Sequence, residues 1–449
     1  MTRKSDDRPG AIRGSSSRPQ VAVIGTGIAG LGCAWRLRES CELTLFERNA
    51  YTGGHTNTID VQGPSGPVAF DTGFMVFNRV TYPNLCRFFE ELEVPVKPTS
   101  MSFSVQHLPA GLEFCGSGWN HLFAQRRNLV RPRFWRLLAA IHRFNGEAVA
   151  ALSDARWDSV SVGEYVERRG YGRDFLELYL IPMSSAVWST PSDRMLAFPA
   201  ITLMRFFHNH GFLGLHTHHP WWTVDGGARE YVRRLDPQLG GRIRLATPAR
   251  SVRRLSGGGA RVQLENGEHR DFDRVVLACH ADEALVLLSD ADAEERRLLG
   301  EFRYQPNRAV VHTDSSVMPR RKLAWSSWNY RIAPAPGGGI QSQTVYWMNL
   351  LQGVPGDVPY FVSINPGNTV DPGRIVREIP YEHPLFSLGA VRAQASLPGL
   401  NRRSPGQAVF FAGSYFRYGF HEDAFNSGCD CADAVLGALG SSAEIPRGT

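Results

Sequence analysis

The sequence lacks the features of a secreted or membrane-spanning protein. No run approaches the roughly 20 apolar residues that a transmembrane helix needs. Residues 1–19 are polar and contain no apolar segment of the kind found in secretory signals. The seven cysteines are odd in number and scattered, and no two have CxxC spacing. We therefore expect a soluble protein of the reducing cytoplasm, or one that is at most peripheral at the inner membrane face.

The sequence also has little net charge. The net charge is +6 over 449 residues, and half of the excess lies in residues 1–19, where five basic residues oppose two acidic ones. We expect this segment to be a disordered basic tail and residues 441–449 to be a flexible tail. Because no nucleic-acid-binding motif accompanies the positive charge, we expect no nucleic acid partner.

The most informative stretch is rich in glycine. A short apolar run is followed by three glycines in GxGxxG spacing and then by a helical pattern; the glycines are Gly25, Gly27 and Gly30. A second apolar run ends at Glu47, at the distance expected for an acid that binds a ribose hydroxyl. The pattern predicts a βαβ unit whose loop and helix N-terminus bind a dinucleotide pyrophosphate.

Motifs further along the chain indicate FAD rather than NAD. A glycine doublet, Gly53-Gly54, follows the acid, FDTGFMV begins at Phe70, an apolar run closes on Gly413, and YGFHEDA begins at Tyr418. Together these segments resemble the flavin-containing amine oxidoreductase superfamily, which includes monoamine oxidases, protoporphyrinogen oxidases and phytoene desaturases. The resemblance spans nearly the whole chain beyond residue 19.

Four longer segments are most similar to one subfamily. They are FDTGFMVFNRVTYPNL, WWTVDGGAREYVRRL, MPRRKLAWSSWNY and YGFHEDAFNSG. The subfamily consists of bacterial FAD-dependent oxidoreductases related to the flavoprotein region of plant cyclopropane fatty acid synthases.

The resemblance implies an α/β fold with two interleaved domains. A Rossmann-like FAD-binding domain with a three-layer ββα architecture would comprise residues 20–100, 221–285 and 405–440. An α+β substrate domain containing a mixed sheet would comprise residues 101–220 and 286–404.

The resemblance also implies which residues hold the cofactor, expected to be non-covalent FAD. The segment after Asp71 would pass the isoalloxazine, and Val252 would contact the adenine through its backbone. The N–H groups of Asp423 and Ala424, at a helix start, would face the flavin pyrimidine edge. The predicted cofactor residues are Gly25, Gly27, Ile28, Ala29, Gly30, Glu47, Arg48, Gly53, Gly54, His55, Gly73, Phe74, Met75, Val76, Val252, Gly413, Ser414, Glu422, Asp423 and Ala424.

The predicted chemistry requires no catalytic triad. Because a flavin accepts hydride, the protein has to hold a C–H bond over the ring and exclude water. Tyr418 and His421 are the polar residues that we expect near the substrate. A neutral His421 would take a proton from the carbon next to the one that loses hydride. The alternative is a structural role for His421 as a partner of Glu422 or of the cofactor.

Departures from the amine oxidase pattern favour an apolar substrate. His55 stands where amine oxidases commonly have arginine, and Ser414 stands where they have an acid. Arg417, if it points inward, disfavours a cationic amine. We therefore expect desaturation or isomerisation of an unsaturated or methyl-branched fatty acyl chain. The alternatives are a flavin amine oxidase and a non-catalytic flavoprotein partner of a lipid methyltransferase.

Three other stretches have two interpretations each. Trp188 and the aromatic residues between 325 and 348 would line a cavity for a long apolar substrate, or fill a core. The arginine-rich segment 126–136, with Phe134 and Trp135, would lie on an anionic membrane surface, or form a solvated basic face over a core stripe. The histidines 208, 210, 216, 218 and 219 suggest a metal, but no carboxylate or cysteine cluster accompanies them, and we expect no metal site.

Overall fold

The computed structural model describes residues 18–64, 66–214, 217–335, 338–403 and 407–440. Residues 1–17 of the predicted basic tail, the predicted tail at 441–449 and His216 lie outside this range. Across the described ranges, no helix combines the length and apolar character that crossing a bilayer requires.

The described residues form strands and helices throughout the chain. In chain order the strands are β1 (Gln20–Ile24), β2 (Glu42–Phe46), β3 (Thr58–Gly63), β4 (Gly66–Asp71), β5 (Phe77–Asn78), β6 (Val96–Thr99), β7 (Phe103–His107), β8 (Leu112–Cys115), β9 (Trp221–Val224), β10 (Ile243–Arg244), β11 (Ala249–Arg254), β12 (Ala260–Leu264), β13 (His269–Phe272), β14 (Arg274–Leu277), β15 (Arg303–His312), β16 (Trp328–Pro334), β17 (Ile340–Trp347), β18 (Phe361–Ile364), β19 (Ile375–Leu385) and β20 (Val409–Phe411). The α-helices are α1 (Ile28–Leu37), α2 (Pro83–Glu91), α3 (Trp119–Leu122), α4 (Pro132–Ala151), α5 (Val162–Arg169), α6 (Arg173–Phe175), α7 (Ile181–Trp188), α8 (Ser192–Met195), α9 (Ala200–Asn209), α10 (Arg229–Leu239), α11 (Ala281–Leu287), α12 (Ala293–Leu299), α13 (Met348–Leu351), α14 (Leu388–Gln394), α15 (Leu397–Leu400) and α16 (His421–Ala438).

The first sheet is parallel and buried on both faces. Its strand order is β10-β2-β1-β14-β20. Because successive side chains of a strand point to opposite faces, Val21 and Val23 pack with α1 and α16, whereas Ala22 and Ile24 pack with β11, β12 and α11. The three layers are those predicted for a Rossmann-like FAD domain, and this part of the fold prediction is confirmed.

The second large sheet is mixed. Its order is β19-β15-β18-β17-β16-β7-β8, and β16 pairs with β7 in parallel while the other pairs are antiparallel. Segments 101–220 and 286–404 both contribute strands to it. An apolar core joins this sheet to helices α4 to α9. The predicted α+β unit with a mixed sheet is therefore confirmed, while the boundaries between the segments stay predictions.

The sequence pattern does not identify β19 as a strand, because this segment contains Pro380 and Pro384. Proline cannot donate a ladder hydrogen bond, so it argues against a central strand. In the structure β19 lies at the edge of the mixed sheet, where prolines are tolerated. Its alternation turns Ile379, Tyr381 and His383 towards the interior.

A buried carboxylate joins the β3–β4 hairpin to the residues at the start of α10 and the end of α13. Asp71, at the end of β4, accepts hydrogen bonds from the Ala228 N–H at 2.9 Å and from the Gln352 side-chain amide at 2.8 Å. Gln352, just after α13, accepts the Asp71 N–H in return at 2.7 Å and donates to the Met75 carbonyl at 2.9 Å. The segment from Asp71 to Met75 is therefore held between the parallel sheet and the mixed sheet.

Helices α1 and α16 pack in close contact because each carries a glycine at the interface. A Cβ on Gly428 would collide with the carbonyl oxygen of Ala29, and one on Gly32 would lie 2.8 Å from the Phe425 ring. The apolar pattern of the sequence predicts helices that begin at Leu31 and Ala424. Both helices begin three residues earlier, at Ile28 and His421. The motif residues before the apolar pattern therefore belong to the first turn of each helix.

We predict opposite effects for the same substitution at two positions of α16. Gly428→Ala should destabilise the fold by about 1–3 kcal/mol, because the methyl group meets backbone that cannot move aside. Gly437→Ala should stabilise it by about 0.5–1 kcal/mol, because Gly437 is exposed and its Cβ would meet nothing. Denaturant unfolding of both variants measures the difference, and equal effects would contradict the packing described.

Candidate active site

A cavity of about 1190 Å³ lies between the two sheets. The parallel sheet contributes the residues that follow the carboxyl ends of β1, β2, β14 and β20, which is where doubly wound folds bind ligands. The mixed sheet contributes side chains of β15 to β19 on the other side. The volume exceeds the roughly 300–1000 Å³ of pockets for one drug-sized ligand, so a dinucleotide and a further molecule have room.

The glycine-rich loop has the geometry that a bound pyrophosphate needs. Gly25 has a φ of +100°, and a Cβ there would lie 2.6 Å from the Ala278 carbonyl oxygen. A Cβ on Gly30 would collide with the Gly25 carbonyl, so Gly30 serves the packing of α1 rather than the cavity itself. Gly27 lines the cavity, and a Cβ there would meet only open space. Backbone can therefore approach a ligand at Gly27.

The glycine doublet forms the second half of the same cradle. Gly53 pairs with Gly27 in a short parallel bridge, and the Gly53 N–H donates to the Thr26 carbonyl at 3.1 Å. Gly54, with a φ of +61°, would bring a Cβ within 3.3 Å of the Gly27 Cα. Two glycine loops from different parts of the motif thus meet at the cavity wall.

Glu47 lines the cavity, but its carboxylate already has protein partners. One oxygen accepts the Thr26 N–H at 3.0 Å and the Thr26 hydroxyl at 2.6 Å. The other accepts the N–H and the side-chain amide of Asn49, each at 2.9 Å. Since a carboxylate offers about four acceptor sites, a ribose hydroxyl would have to replace or share an Asn49 bond. The ribose role predicted for Glu47 stays a prediction.

His421 forms part of the cavity wall at the start of α16. Its ring stacks on Phe74 with centroids 3.8 Å apart and an angle of 7° between the planes. Its Nε2 is hydrogen-bonded to the Thr56 hydroxyl at 3.0 Å and lies 3.4 Å from the Tyr231 hydroxyl. Glu422 is not its partner, because the Glu422 carboxylate accepts the N–H groups of residues 84 and 85 at the start of α2. Nδ1 is thus the ring nitrogen of His421 that remains for a ligand.

Two further histidines face the cavity beside Tyr381. His55 stacks on Tyr381 with centroids 4.9 Å apart, and its ring lies 5.3 Å from that of His383. The Nε2 of His55 is buried without a hydrogen-bond partner among the described residues. The Asn307 side-chain amide donates to the Nδ1 of His383 at 2.7 Å, so neutral His383 carries its proton on Nε2. The wall thus contains an unmatched nitrogen on His55 and a free N–H donor on His383.

Burial keeps these histidines neutral. It lowers the pKa of His421 to about 3 and that of His383 to about 4. The pKa of His55 falls well below its ordinary value, through burial first and the neighbouring His383 second. Burial acts in the opposite direction on the Asp423 carboxyl, whose pKa rises to about 7. The three histidines are therefore uncharged at neutral pH, and Asp423 holds its proton to a far higher pH than an ordinary carboxyl does.

Most of the residues predicted from the sequence meet in this cavity. The predicted residues that line it are Gly25, Gly27, Ile28, Ala29, Glu47, Arg48, Gly53, Gly54, His55, Gly73, Phe74, Met75, Val76, Gly413, Ser414, His421 and Ala424. Gly30, Val252, Tyr418, Glu422 and Asp423 do not line it.

Two of these predictions need correction, those for Val252 and Ala424. The carbonyl of Val252 accepts the Ser289 N–H at 3.0 Å within the sheet packing, and Pro248 and Ala249 line the cavity in its place. The Ala424 N–H donates to the Phe420 carbonyl at 3.0 Å, because α16 begins at His421. The amides that a helix start leaves free are therefore those of residues 421 to 423.

Tyr418 lies behind the cavity wall. Its backbone carbonyl accepts the Trp188 indole N–H at 3.1 Å, and its hydroxyl interacts with Arg205, which together with other nearby groups moderates the rise in its pKa that burial causes. Neither group reaches the cavity. The position of Tyr418 therefore gives no support to a catalytic role.

Sequence reasoning missed several lining residues on β15 and β19, including Tyr304, Tyr381 and His383. The period-2 alternation of Ile379, Tyr381 and His383 was the available signal, and the intervening prolines concealed it. Cys279 and His280, which follow β14, also line the cavity.

One end of the cavity is lined by aromatic and apolar side chains, and we call it the aromatic chamber. Trp188 lies 4.7 Å from Phe206, which lies 4.8 Å from Phe420, measured between ring centroids. His210 stacks on Phe206, and its Nδ1–H donates to the Phe206 carbonyl at 2.9 Å, so it belongs to the wall of the chamber. The chamber consists of Met101, Trp188, Phe206, Phe212, Trp221, Trp328, Tyr346 and Phe420.

The carboxylates that reach the cavity come from other walls. Glu47 and Glu265 follow strands at the ribose end, Asp282 and Glu283 begin α11, and Glu378 and Glu382 lie on the exposed face of β19. Asp423 lies behind Phe420 and accepts its N–H at 3.0 Å. Within the described residues the aromatic chamber therefore offers no counterion to a cation.

Comparisons with known proteins agree with this geometry. The model of a family described as flavin containing amine oxidoreductase matches residues 28–346. By sequence, the chain is 26% identical over 294 residues to a carotenoid phi-ring synthase of Streptomyces griseus, covering 60% of this chain and 54% of that protein. It is 24% identical over 377 residues to a hydroxyneurosporene desaturase of Cereibacter sphaeroides, covering 73% and 66%. The chain thus spans between about half and two thirds of these relatives.

Two solved structures share the fold. Putrescine oxidase bound to putrescine has a TM-score of 0.65 at 15% identity, covering 94% of this chain and 99% of that one. A fatty acid isomerase from P. acnes that produces CLA has a TM-score of 0.64 at 15% identity, with the same coverage. At this identity the likeness shows the fold alone.

The open space at Gly27 predicts a selective loss of cofactor. Gly27→Val should fold normally, since the φ of −62° suits valine and the Cβ meets nothing. Its side chain would occupy the path of the pyrophosphate, so flavin affinity should fall at least roughly tenfold. The flavin-to-protein absorbance ratio measures this, with circular dichroism as the check on folding. Gly116→Val, an equally open site away from the cavity, should keep its flavin, and flavin retention by both variants would contradict the cradle.

The buried neutral histidine predicts a pH effect on stability. The pKa of His421 in the folded state, about 3, lies below the unfolded value of about 6.5. The unfolded chain therefore binds the extra proton, and stability falls as pH drops below about 6.5. Between pH 7 and 5, His421→Gln should lose up to about 2 kcal/mol less than the unmodified chain.

Denaturant unfolding at the two pH values measures this difference. His208→Gln, at an exposed position of α9, should lose as much stability as the unmodified chain. Asp71 and Asp423, whose raised pKa values act with the opposite sign, are present in all three proteins and cancel in the comparison. The same pH dependence in all three would show that His421 is not a buried neutral group.

Proposed function

Because the chain belongs to the flavin containing amine oxidoreductase family, we propose that it is an FAD-dependent oxidoreductase acting on an apolar chain. The proposed substrate is an unsaturated or methyl-branched fatty acyl chain of a lipid, and the proposed outcome is desaturation or isomerisation. The observation that carries the proposal is the aromatic chamber, which has apolar walls and receives no carboxylate from the part of the chain that the structure describes.

The residues present fit non-covalent FAD. The open Gly27 and the Gly53-Gly54 doublet leave backbone exposed to a pyrophosphate, and the free amides at the start of α16 suit the pyrimidine edge of the ring. Burial keeps the pKa of the Cys279 thiol raised, so the sulfur stays protonated and weakly nucleophilic. When bound, FAD supplies the hydride acceptor.

The protein's own contribution is to bind an apolar chain, exclude water and receive a proton. Desaturation removes a hydride from one carbon and a proton from its neighbour, leaving a double bond between them. Neutral His421, with Nε2 held by Thr56 and Tyr231, keeps Nδ1 as the candidate proton acceptor. Its low pKa disfavours holding the proton, so we propose that His421 gives the proton to solvent water once the product leaves the cavity.

An amine substrate fits the chamber less well. The same fold serves putrescine oxidase and a fatty acid isomerase, so the fold does not choose between them. A protonated amine moved into the chamber would lose its water without meeting a carboxylate, which is costly. An acyl chain buries only apolar surface there.

A carotenoid-like polyene is a second candidate substrate. The two curated relatives named above act in carotenoid chemistry by their names, and a polyene would meet the same apolar walls. The acyl chain and the polyene share the chemistry of a C–H bond next to a double bond, and an experiment has to separate them.

Anaerobic bleaching of the flavin tests the proposal. The purified yellow protein, mixed without oxygen with phospholipid bearing unsaturated acyl chains, should lose the visible absorbance of its oxidised flavin. A polyene and a mixture of primary and secondary amines are the parallel substrates. Bleaching by the polyene alone would change the substrate class, and bleaching by amines alone would overturn the proposal.

A result without bleaching is also informative. If no substrate bleaches the flavin, mass spectrometry of the lipid after incubation detects an isomerisation that leaves no net electrons on the cofactor. A lack of any product would contradict independent catalysis and support the alternative of a non-catalytic partner of a lipid methyltransferase.

A further inference from the structure

The segment around α3 and α4 has an unusual surface. Residues 114–146 contain six arginines and no aspartate or glutamate. Trp119 and Val130 of this segment are among the most exposed large apolar residues described, at 70% and 83%. Surface apolar residues are common singly, whereas a group of them beside uniform charge marks an interaction site.

We define the basic apolar patch by five apolar residues and seven cations. The exposed apolar residues are Trp119, Leu129, Val130, Trp135 and Leu323. The cations are Arg126, Arg127, Arg131, Arg136 and Arg320–Lys322. Residues Lys322–Ala324 form a short turn that packs against α3 and β8, which brings the two parts of the patch together.

Stacked rings hold the apolar part of the patch in place. Trp119 stacks on Phe123 with centroids 6.1 Å apart and planes within 6° of parallel, and Phe123 lies 5.5 Å from Trp135. The Trp135 indole N–H donates to the Leu129 carbonyl at 2.9 Å. The patch is therefore a preformed surface rather than a set of independent side chains.

The charge of the patch is not neutralised by the protein. Among the residues that the structure describes, none of its seven cations forms an ion pair. Arg126 donates to the carbonyl of Phe123 at 3.1 Å, and Arg127 donates to the carbonyl of Gly111. Arg133, which lies between Arg131 and Arg136 in the sequence, differs from the patch cations because it forms an ion pair with Asp174. A partner of opposite charge is thus missing from the patch itself.

We propose that the basic apolar patch docks the protein on an anionic lipid bilayer. Tryptophans lie at the headgroup level of membranes and exposed aliphatic side chains enter the acyl boundary. Arginines attract anionic headgroups over a distance set by screening. The buried side of the same segment, with Phe123, Phe134 and Leu137, belongs to the apolar core that includes Trp188 and Phe206 of the aromatic chamber.

The patch fits a bilayer better than a nucleic acid. Stacking on bases uses aromatic side chains, and the two tryptophans would serve for that. Leu129, Val130 and Leu323 offer no stacking surface, and they gain by leaving water for the acyl region. The docking proposal stands on this surface alone and does not depend on the identity of the substrate.

Vesicle sedimentation of the flavin-loaded protein tests the proposal. Vesicles of phosphatidylcholine with about 30% phosphatidylglycerol should bind the protein at about 0.1 M salt, and phosphatidylcholine alone should bind it much less. Arg131→Gln with Arg136→Gln should weaken binding roughly 30-fold, from the loss of two cations near the anionic surface. Val130→Asp should weaken it by a similar factor.

Matched controls carry the same substitutions elsewhere. Arg253→Gln with Arg303→Gln removes two exposed arginines that also form no ion pair among the described residues. Val80→Asp changes a valine that is 59% exposed in a loop outside the patch. Both controls should bind vesicles as the unmodified protein does, and both test variants should keep their flavin spectrum.

Several results would overturn the docking proposal. These are an absence of vesicle binding, equal losses in the control variants, and tighter binding to a single-stranded oligonucleotide that the patch variants abolish. Bleaching of the flavin by detergent-dispersed lipid is measured separately. Vesicle binding with neither bleaching nor a new lipid product would contradict the proposed function alone, and turnover of dispersed lipid without vesicle binding would contradict the docking alone.

Discussion

The buried Asp71 carboxylate is the constraint on which the site depends. It receives hydrogen bonds from Ala228 and Gln352, so one side chain joins the β3–β4 hairpin, the start of α10 and the residue after α13. The residues after Asp71, from Gly73 to Val76, become cavity wall because Gln352 holds the Met75 carbonyl at the same point. Burial raises the Asp71 pKa to about 6, so the junction forms at the cost of desolvating a carboxylate.

Electrostatics divides the cavity into two parts. The end formed by the glycine loops exposes backbone amides and has charged neighbours such as Arg48, which pairs with Glu283. The other part is lined by neutral histidines and by the aromatic chamber, which receives no carboxylate from the described residues. A dinucleotide with a charged pyrophosphate and an apolar substrate therefore have separate regions suited to each. This division, rather than the fold, distinguishes the proposal from amine oxidation, because proteins with either substrate share the fold.

The fold and the cofactor cradle could be predicted from the sequence because backbone geometry specifies them. Gly25 and Gly30 each meet a local steric requirement of the fold, and Gly27 leaves open space for a ligand, so a short motif is enough to show all three. The sequence could not show whether the Tyr418 side chain reaches the substrate, because side-chain direction in a turn depends on neighbours such as Trp188 that are distant in sequence. Val252 lies three residues beyond Ala249, which lines the cavity, and its carbonyl accepts the Ser289 N–H, a partner distant in sequence. Tyr381 and His383 could not be found because prolines mark their strand as a loop unless its edge position is known.

The edge position of β19 has a consequence for the behaviour of the protein in solution. The outermost strand of a sheet ordinarily presents N–H groups to which a strand of another molecule can add. Pro380 and Pro384 have no N–H to offer, and they occur on the strand that carries Tyr381 and His383. The prolines therefore disfavour fibril-like growth at the strand that closes the cavity. Strand β19 can therefore line the cavity at an exposed sheet edge, with no further strand or helix needed to block self-association there.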